Sequence, residues 1–354
     1  MWLVCEYGNE ACDNGFCFFE YLRLHQPQQD AVYAIRKASP QYKNVKKLGE
    51  VVEFGSFKHW VYYLAAEKNI SSQKGGKPNA AVCYFLEVPR ILRNKRAFIQ
   101  HGIVLNDLPY LHKGQAQLGL ITCGAKPECE FIKARFGYEP EQIKYTGLCR
   151  FDKMFGKKGD PNIILVAPTW RQWLYGSDKR SEDLQKEEYF IVWNRFLNDK
   201  RLHDILRRKG LEIVFYPHRN IQFHSELFST DCDNIKIRGW ANADILELIK
   251  SAGLLITDYS SISMDFAYME KPLLYYQFDY PRFRAAHLPQ GYFSYKKDGF
   301  GRICSEHDEL INEMERLIEA GLPFEDEYKA RHKLFYALYD DKNCERNYLA
   351  VKLM

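Results

Sequence analysis

Short apolar runs alternate with longer helical patterns along nearly all of this chain, and no other feature restricts its fold as much. Trp2–Tyr7, Ala31–Lys37 and Val51–Ser56 read as strands. Asp13–His25 reads as a helix after the first and Lys58–Asn69 as a helix after the third. AAVCYF (Ala80–Phe85) and RAFIQ (Arg96–Gln100) follow as further apolar runs. Leu118–Gly124 then reads as a strand and Lys126–Gly137 as a helix. Strands separated by helices call for parallel sheets, because parallel neighbours need a crossover between them.

The pattern breaks at Asp152–Pro161, a basic stretch rich in Gly, Pro and Asp, and then restarts. Asn162–Trp170, Leu211–His218, Asn234–Gly239, Leu254–Ser261 and Pro272–Asp279 read as strands or as strands running into turns. Glu187–Gly210 reads as one long helix, and Asn242–Gly253, Ile262–Lys271 and Asp308–Gly321 as shorter ones. The stretch Phe324–Met354 is helical and charged. The expected organisation is a domain over 1–151, a linker over 152–161, a second domain over 162–325 and a helical segment over 326–354. Two successive α/β halves imply two doubly wound, Rossmann-like domains facing across a cleft.

Composition narrows the function classes. Fifty Lys and Arg against 46 Asp and Glu give a net charge of +4, too little to argue for nucleic acid. A local basic surface for an anionic substrate remains compatible with it. None of the ten cysteines forms a CxxC pair, which speaks against zinc, and their scatter fits a reducing cytoplasm. No signal peptide and no uninterrupted run long enough to span a membrane is visible. The amphipathic Phe16–His25 reads as a helix packed on the first strand. Asp231-Cys232-Asp233 spells DxD but sits in an ordinary polar loop. GKKGDP lacks Walker spacing, so a P-loop is rejected.

Four features can carry chemistry. The run TDYSS (Thr257–Ser261) follows the apolar Leu254–Ile256, and Ser260 or Ser261 caps a helix carrying Asp265. A helix N-terminus beyond a strand's carboxyl end offers N–H groups to phosphate, and two hydroxyls add donors. A plain capped helix uses the same residues. His101, before Gly102, ends an apolar run in the first half; an imidazole titrating near ~6.5 can act as general base. His218 ends a strand in the second half, beside Arg219. One of these histidines can serve as base while the other meets phosphate charge. In APTWRQW, Thr169 ends a strand and Arg171 offers a rigid fork suited to phosphate oxygens.

Together these residues resemble the CDP-glycerol glycerophosphotransferases, the teichoic-acid primase and polymerase family with the GT-B fold. The likeness runs through the HG of QHGIVLND, APTWR, the PH of FYPHRN and the specific stretch Asp244–Asp279. The opening WLVCEYGNEACDNGFCFFEYL and the terminal DDKNCERN extend it over nearly the whole chain. The resemblance implies a C-terminal helix returning toward the N-terminal domain. It makes His101 the catalytic base and His218 a second catalytic group. It makes Thr169, Arg171, Thr257, Asp258, Ser260, Ser261, Asp265 and Arg346 the donor- and phosphate-binding set. No metal and no cofactor is implied. There are departures: the family pattern HGxPLK is replaced here by Val104 and Asn106, with Lys113 the next lysine, and RPHP becomes YPHRN. They bear on donor and acceptor identity more than on reaction class. The long N-terminal extension of some polymerases is not seen.

The expected activity is transfer of a polyol phosphate, glycerol phosphate foremost, from CDP-glycerol or CDP-ribitol, releasing CMP. The expected acceptor is a lipid-linked saccharide or polyol-phosphate polymer in teichoic acid or capsule synthesis. Such an acceptor implies a cytoplasmic protein, peripheral at the inner face of the cell membrane, with no nucleic-acid partner. The rival readings are a GT-B glycosyltransferase using a nucleotide sugar and a non-catalytic binding module.

Overall fold

A computed structural model describes residues 1–174, 181–287 and 289–354. The chain divides into two compact units. Met1–Phe155 and Leu334–Met354 form the first, and Gly156–Lys333 the second.

The first unit holds seven parallel strands: β1 (Trp2–Cys5), β2 (Ala31–Ile35), β3 (Val51–Glu53), β4 (Lys68–Ser71), β5 (Lys95–Phe98), β6 (Leu120–Cys123) and β7 (Ile143–Tyr145). They lie in the order β3-β2-β1-β4-β5-β6-β7. Every residue of β1, β2 and β6 is buried, as a sheet covered on both faces requires. The strand order reverses between β1 and β4, and ligands of such sheets bind beyond the carboxyl ends near that reversal. The terminal helix Asn343–Leu353 is stitched into this unit. Asp152 accepts from the backbone N–H of Asn343 at 2.7 Å and of Cys344 at 2.8 Å.

The second unit repeats the plan with β8 (Asp160–Val166), β9 (Glu212–Phe215), β10 (Ile235–Ile237), β11 (Ala252–Thr257), β12 (Leu273–Tyr276) and β13 (Arg302–Cys304). Their order is β10-β9-β8-β11-β12-β13, so the reversal falls between β8 and β11. Trp193 anchors the core on one face, its ring against Phe196, Phe215, Tyr276 and Phe278.

Three local readings need correction. Ala80–Phe85 is not a strand but part of the helix Ala80–Glu87, capped by Asn79, whose side chain accepts from Val82 N at 3.1 Å. The expected helix through Asn69 ends at Ala65, and β4 begins at Lys68. Lys68 hides a strand in sequence because it is charged. In the fold it is buried, with its ammonium donating to Lys352 O at 2.8 Å. The long helix over Glu187–Gly210 is two, Glu188–Leu197 and Lys200–Lys209. Asp199 starts the second by accepting from Leu202 N at 2.8 Å, and Gly210 ends it at φ +65°.

Truncating Trp193 leaves a large void among aromatic neighbours that cannot collapse into it. Trp193→Ala is expected to cost the second unit about 3–5 kcal/mol, measured by denaturant titration followed by circular dichroism.

Candidate active site

In the first unit, β5 ends at Phe98 and Gln100 then adopts φ +59°. This left-handed residue turns the chain and sets His101 just past the strand's carboxyl end. Asn14 holds the turn, donating from its side-chain amide to Gln100 O at 2.8 Å. Asp13 precedes the helix Asn14–His25 but makes no capping bond to it. Its carboxylate instead lies 2.7 Å from His101 Nδ1 through one oxygen and accepts from Arg150 Nη1 at 2.7 Å through the other. The same Arg150 nitrogen donates to His101 O. Gln73, just beyond β4, places its side-chain amide 2.6 Å from His101 Nδ1.

These contacts fix the tautomer. An ionised Asp13 only accepts, so Nδ1 carries the proton that faces it. Nε2 is then the basic nitrogen, on a side chain that is 68% exposed. Desolvation opposes the imidazolium, but the charge and hydrogen bond of Asp13 outweigh it, so the His101 pKa rises above its ordinary value. Exposure to water screens part of that attraction. For Asp13, burial favours the neutral acid, yet His101 and Arg150 together hold its pKa below the usual range.

Two buried glutamates brace this arrangement. Glu6 accepts from the N–H groups of Cys12 at 3.0 Å, Asp13 at 3.1 Å and Phe16 at 2.7 Å. Glu128 accepts from Val104 N and Gly124 N, both at 2.7 Å, and so ties down the loop that follows His101. Burial pushes the Glu128 carboxyl up to about 8 against these hydrogen bonds.

In the second unit, the loops after β8, β11 and β12 meet on one guanidinium. Arg171 is wholly buried. It donates from Nε to Asp279 Oδ2 at 2.7 Å, from Nη2 to Asp279 Oδ1 at 3.0 Å and from Nη1 to Thr169 O at 2.7 Å. Its Nη1 also lies 2.9 Å from Asp258 Oδ2. The rings of Tyr189, Tyr259, Phe278 and Phe283 surround it, with centroids 4.9–5.7 Å from its central carbon. Tyr259 adds a hydroxyl donating to Asp279 Oδ1 at 3.0 Å. Desolvation works against the guanidinium, but two carboxylates hold its pKa above the ordinary value. One cation cannot neutralise both, and burial leaves Asp258 raised despite Arg171 and the N–H groups of Thr169 and Tyr259.

Several residues expected to meet phosphate lie away from solvent. Arg171 and Asp258, expected to face donor phosphate, are each fully buried and lie against one another. Thr257 is equally buried, its hydroxyl donating to Ala167 O at 2.7 Å and locking β11 to the end of β8. Asp265 is buried within the helix Ile262–Tyr268. Arg346 lies in the first unit and holds the fold there, donating to Thr146 O at 2.8 Å and pairing with Asp340 at 2.8 Å.

Four expected residues remain partly open to solvent at the sheet's carboxyl edge: Thr169, His218, Ser260 and Ser261. Ser260 Oγ accepts from Ile262 N at 3.3 Å, whereas Ser261 occupies the cap position with no side-chain capping bond. His218 Nδ1 accepts from Asn220 N at 3.2 Å, so its proton sits on Nε2, suited to donate to an anionic oxygen. Among the described residues, no group of three or more His, Cys, Asp or Glu is placed to hold a metal.

The profile of the family described as CDP-glycerol:poly(glycerophosphate) glycerophosphotransferase matches residues 2–352. The chain belongs to this family. It is similar to the minor teichoic acid biosynthesis protein GgaB of Bacillus subtilis (strain 168), 29% identical over 364 residues. That match takes in 99% of this chain but 39% of GgaB. Similarity to the teichoic acid glycerol-phosphate primase of the same strain is 24% over 222 residues, 59% of this chain and 52% of the primase. This chain thus spans about two-fifths and about half of those two relatives. The solved structure of the wall teichoic acid polymerase TagF superposes with a TM-score of 0.68 at 18% identity, covering 99% of this chain and 87% of that one. At that identity the likeness speaks to the fold, the two Rossmann-like units of the GT-B class.

Sequence reasoning missed Asp13, Gln73 and Arg150 around His101, and Asp279 and Tyr259 around Arg171. A signal existed for Asp279, which ends an apolar strand just as Asp258 does, so that two strand-end carboxylates flank a strand-end arginine. Asp13 and Gln73 lie 88 and 28 residues from His101, and no periodicity announces that they converge.

Removing the guanidinium strands two carboxylates in an apolar box. Arg171→Met is expected to lose about 3–5 kcal/mol in denaturant titration. Arg171→Lys should recover less than half of that, since an ammonium cannot fork to both carboxylates and stack on the rings.

Proposed function

We propose that this chain transfers a polyol phosphate, glycerol phosphate foremost, from a CDP-activated donor to a hydroxyl of a polymer acceptor. The observation that carries the reading is the His101–Asp13 contact of 2.7 Å in a chain that matches the glycerophosphotransferase family from end to end. The acceptor hydroxyl loses its proton to His101 Nε2. Its oxygen forms a bond to the phosphorus bearing the glycerol. The bond from that phosphorus to the bridging oxygen breaks, and CMP departs with the electron pair. Asp13 stabilises the imidazolium that forms and keeps the ring turned. Ser260, Ser261, the Nε2–H of His218 and the Thr169 turn are the groups proposed to meet donor phosphate. Phosphoryl transfer relies mostly on such positioning and charge stabilisation.

The second part of the proposal is peripheral attachment to a membrane that presents a lipid-linked acceptor. Among the described residues no helix is long and apolar enough to cross one. In the first unit, however, the helix Phe57–Ala65 exposes Phe57, Val61 and Leu64 on one face, and Ala80–Glu87 exposes Val82 and Phe85. The two helices are joined on their buried sides, where Tyr63 Oη donates to Glu87. Lys58 follows the exposed Phe57 in sequence, a pairing that fits an anionic lipid surface. Phe57→Ser with Phe85→Ser is expected to reduce co-sedimentation with phosphatidylglycerol vesicles. Unchanged sedimentation counts against this attachment.

The transfer reading is tested at the base. His101→Ala should lower kcat about 10²–10⁴-fold with the protein still folded. The base works when neutral, so kcat/KM should rise with pH through an apparent pKa above ~6.5. Asp13→Asn removes the charge that raises this pKa, and the acid limb should move to lower pH while the maximal rate falls. An acid limb unmoved by Asp13→Asn, or full activity in His101→Ala, would remove His101 from the mechanism.

A further inference from the structure

The amino edge of the first unit's sheet, opposite the His101 end, carries an open pocket of about 350 Å³. Its wall supplies five cations, Arg90 and Arg93 ahead of β5, Lys95 and Arg96 at its start, and Lys113, which pairs with Glu139 at 2.9 Å, against one carboxylate in the wall, Glu87. That carboxylate is already engaged, accepting from Tyr63 Oη and pairing with Lys77 and, at 3.8 Å, with Arg96 Nη1. Among the described residues Arg90 and Arg93 have no acidic side chain within ion-pair distance. Arg90 reaches the neutral Gln117 Oε1 at 3.3 Å, Arg93 donates to Arg90 O at 3.2 Å, and Lys95 donates to Met354 O at 2.7 Å. Unpaired like charges gathered around one space repel, and the arrangement is stabilised when an anion enters.

Two independent features mark the pocket as built. Arg96 is only 6% exposed. Its terminal nitrogens are fixed, Nη1 to Asn94 Oδ1 at 2.8 Å and Nη2 to Gln117 O at 2.7 Å. Its Nε is buried with no hydrogen-bond partner among the described residues. A buried donor left unmade costs about 1–3 kcal/mol. The backbone is also held in unusual conformations here: Arg90 has φ +61° and Gln117 φ +47°, both non-glycine residues on the pocket wall.

We infer that this pocket is a second anion site, which takes the phosphate of a monoester or phosphodiester and is distinct from the site of transfer. Arginine forks suit phosphate oxygens better than chloride or a lone carboxylate. β5 separates the pocket from His101 by four residues, roughly 13 Å of strand. A bound phosphate here therefore does not occupy the reacting position. The assignment does not depend on the transfer reaction, and its failure would leave the proposed function standing.

The test uses the full chain in two arms. Inorganic phosphate and glycerol 3-phosphate are titrated calorimetrically in one. Phosphatidylglycerol vesicles are compared with phosphatidylcholine vesicles by sedimentation in the other. In the triple variant Arg90→Gln, Arg93→Gln, Lys95→Gln, binding should weaken on the order of tenfold or more in at least one arm. Lys209→Gln, at the end of the helix Lys200–Lys209 in the second unit, should leave that binding unchanged. Arg93→Glu alone, with its melting temperature checked against the parent, covers the case in which the triple variant does not fold. Loss in the phosphate arm assigns a small phosphate. Loss in the vesicle arm alone assigns a lipid headgroup. Absence of binding in both arms, or binding that neither variant weakens, overturns the inference.

Discussion

The second unit depends on one buried guanidinium. Arg171 sits where the loops after β8, β11 and β12 converge, with Asp258 and Asp279 on it and four aromatic rings around it. Such a cluster is a poor source of net stability, because each charge gives up its hydration. What it supplies is geometry. A carboxylate or a guanidinium alone could not remain in this apolar box, so the three loops adopt the one arrangement in which all the charges meet. Asp258 extends that order outward by accepting from Thr169 N at 2.8 Å and Tyr259 N at 2.6 Å. The TDYSS turn is therefore held from behind, and Ser260 and Ser261 stand at its open end.

The first unit solves the same problem with carboxylates that gather backbone N–H groups. Glu6 collects three around the start of the helix Asn14–His25, and Glu128 fixes the loop after His101. Between them Asp13 is freed from capping its own helix and turned toward an imidazole. The residues that face solvent, His101 in this unit and His218 with the serines in the other, are few. The residues that place them are many and buried. A substitution in the second group acts on the chemistry through position, and on stability directly.

Much of the architecture was legible because parallel strands covered on both faces read as apolar runs, and strand-end glycines, histidines and serines mark the carboxyl edges. Where the reading failed, tertiary contacts override local pattern. Lys68 belongs to a strand because its ammonium finds a carbonyl far along the chain, and AAVCYF coils because Asn79 caps it. Roles were harder to read than places. An arginine at a strand end looks the same in sequence whether it grips phosphate or two aspartates. For Arg171, burial decides, and burial depends on Asp279 and the rings of Tyr189 and Phe283, which lie far from it in sequence. The family resemblance named positions, but it could not separate side chains open to solvent, such as Ser260, from buried ones, such as Arg171.

The central claim concerns which bond breaks in the donor. CDP-glycerol labelled with ³²P at the phosphorus next to glycerol, incubated with the chain and a polyol-phosphate acceptor, tests it most directly. The account predicts that label and glycerol pass together to the acceptor and that unlabelled CMP remains. Label retained in CDP while the acceptor gains only the organic group would contradict it.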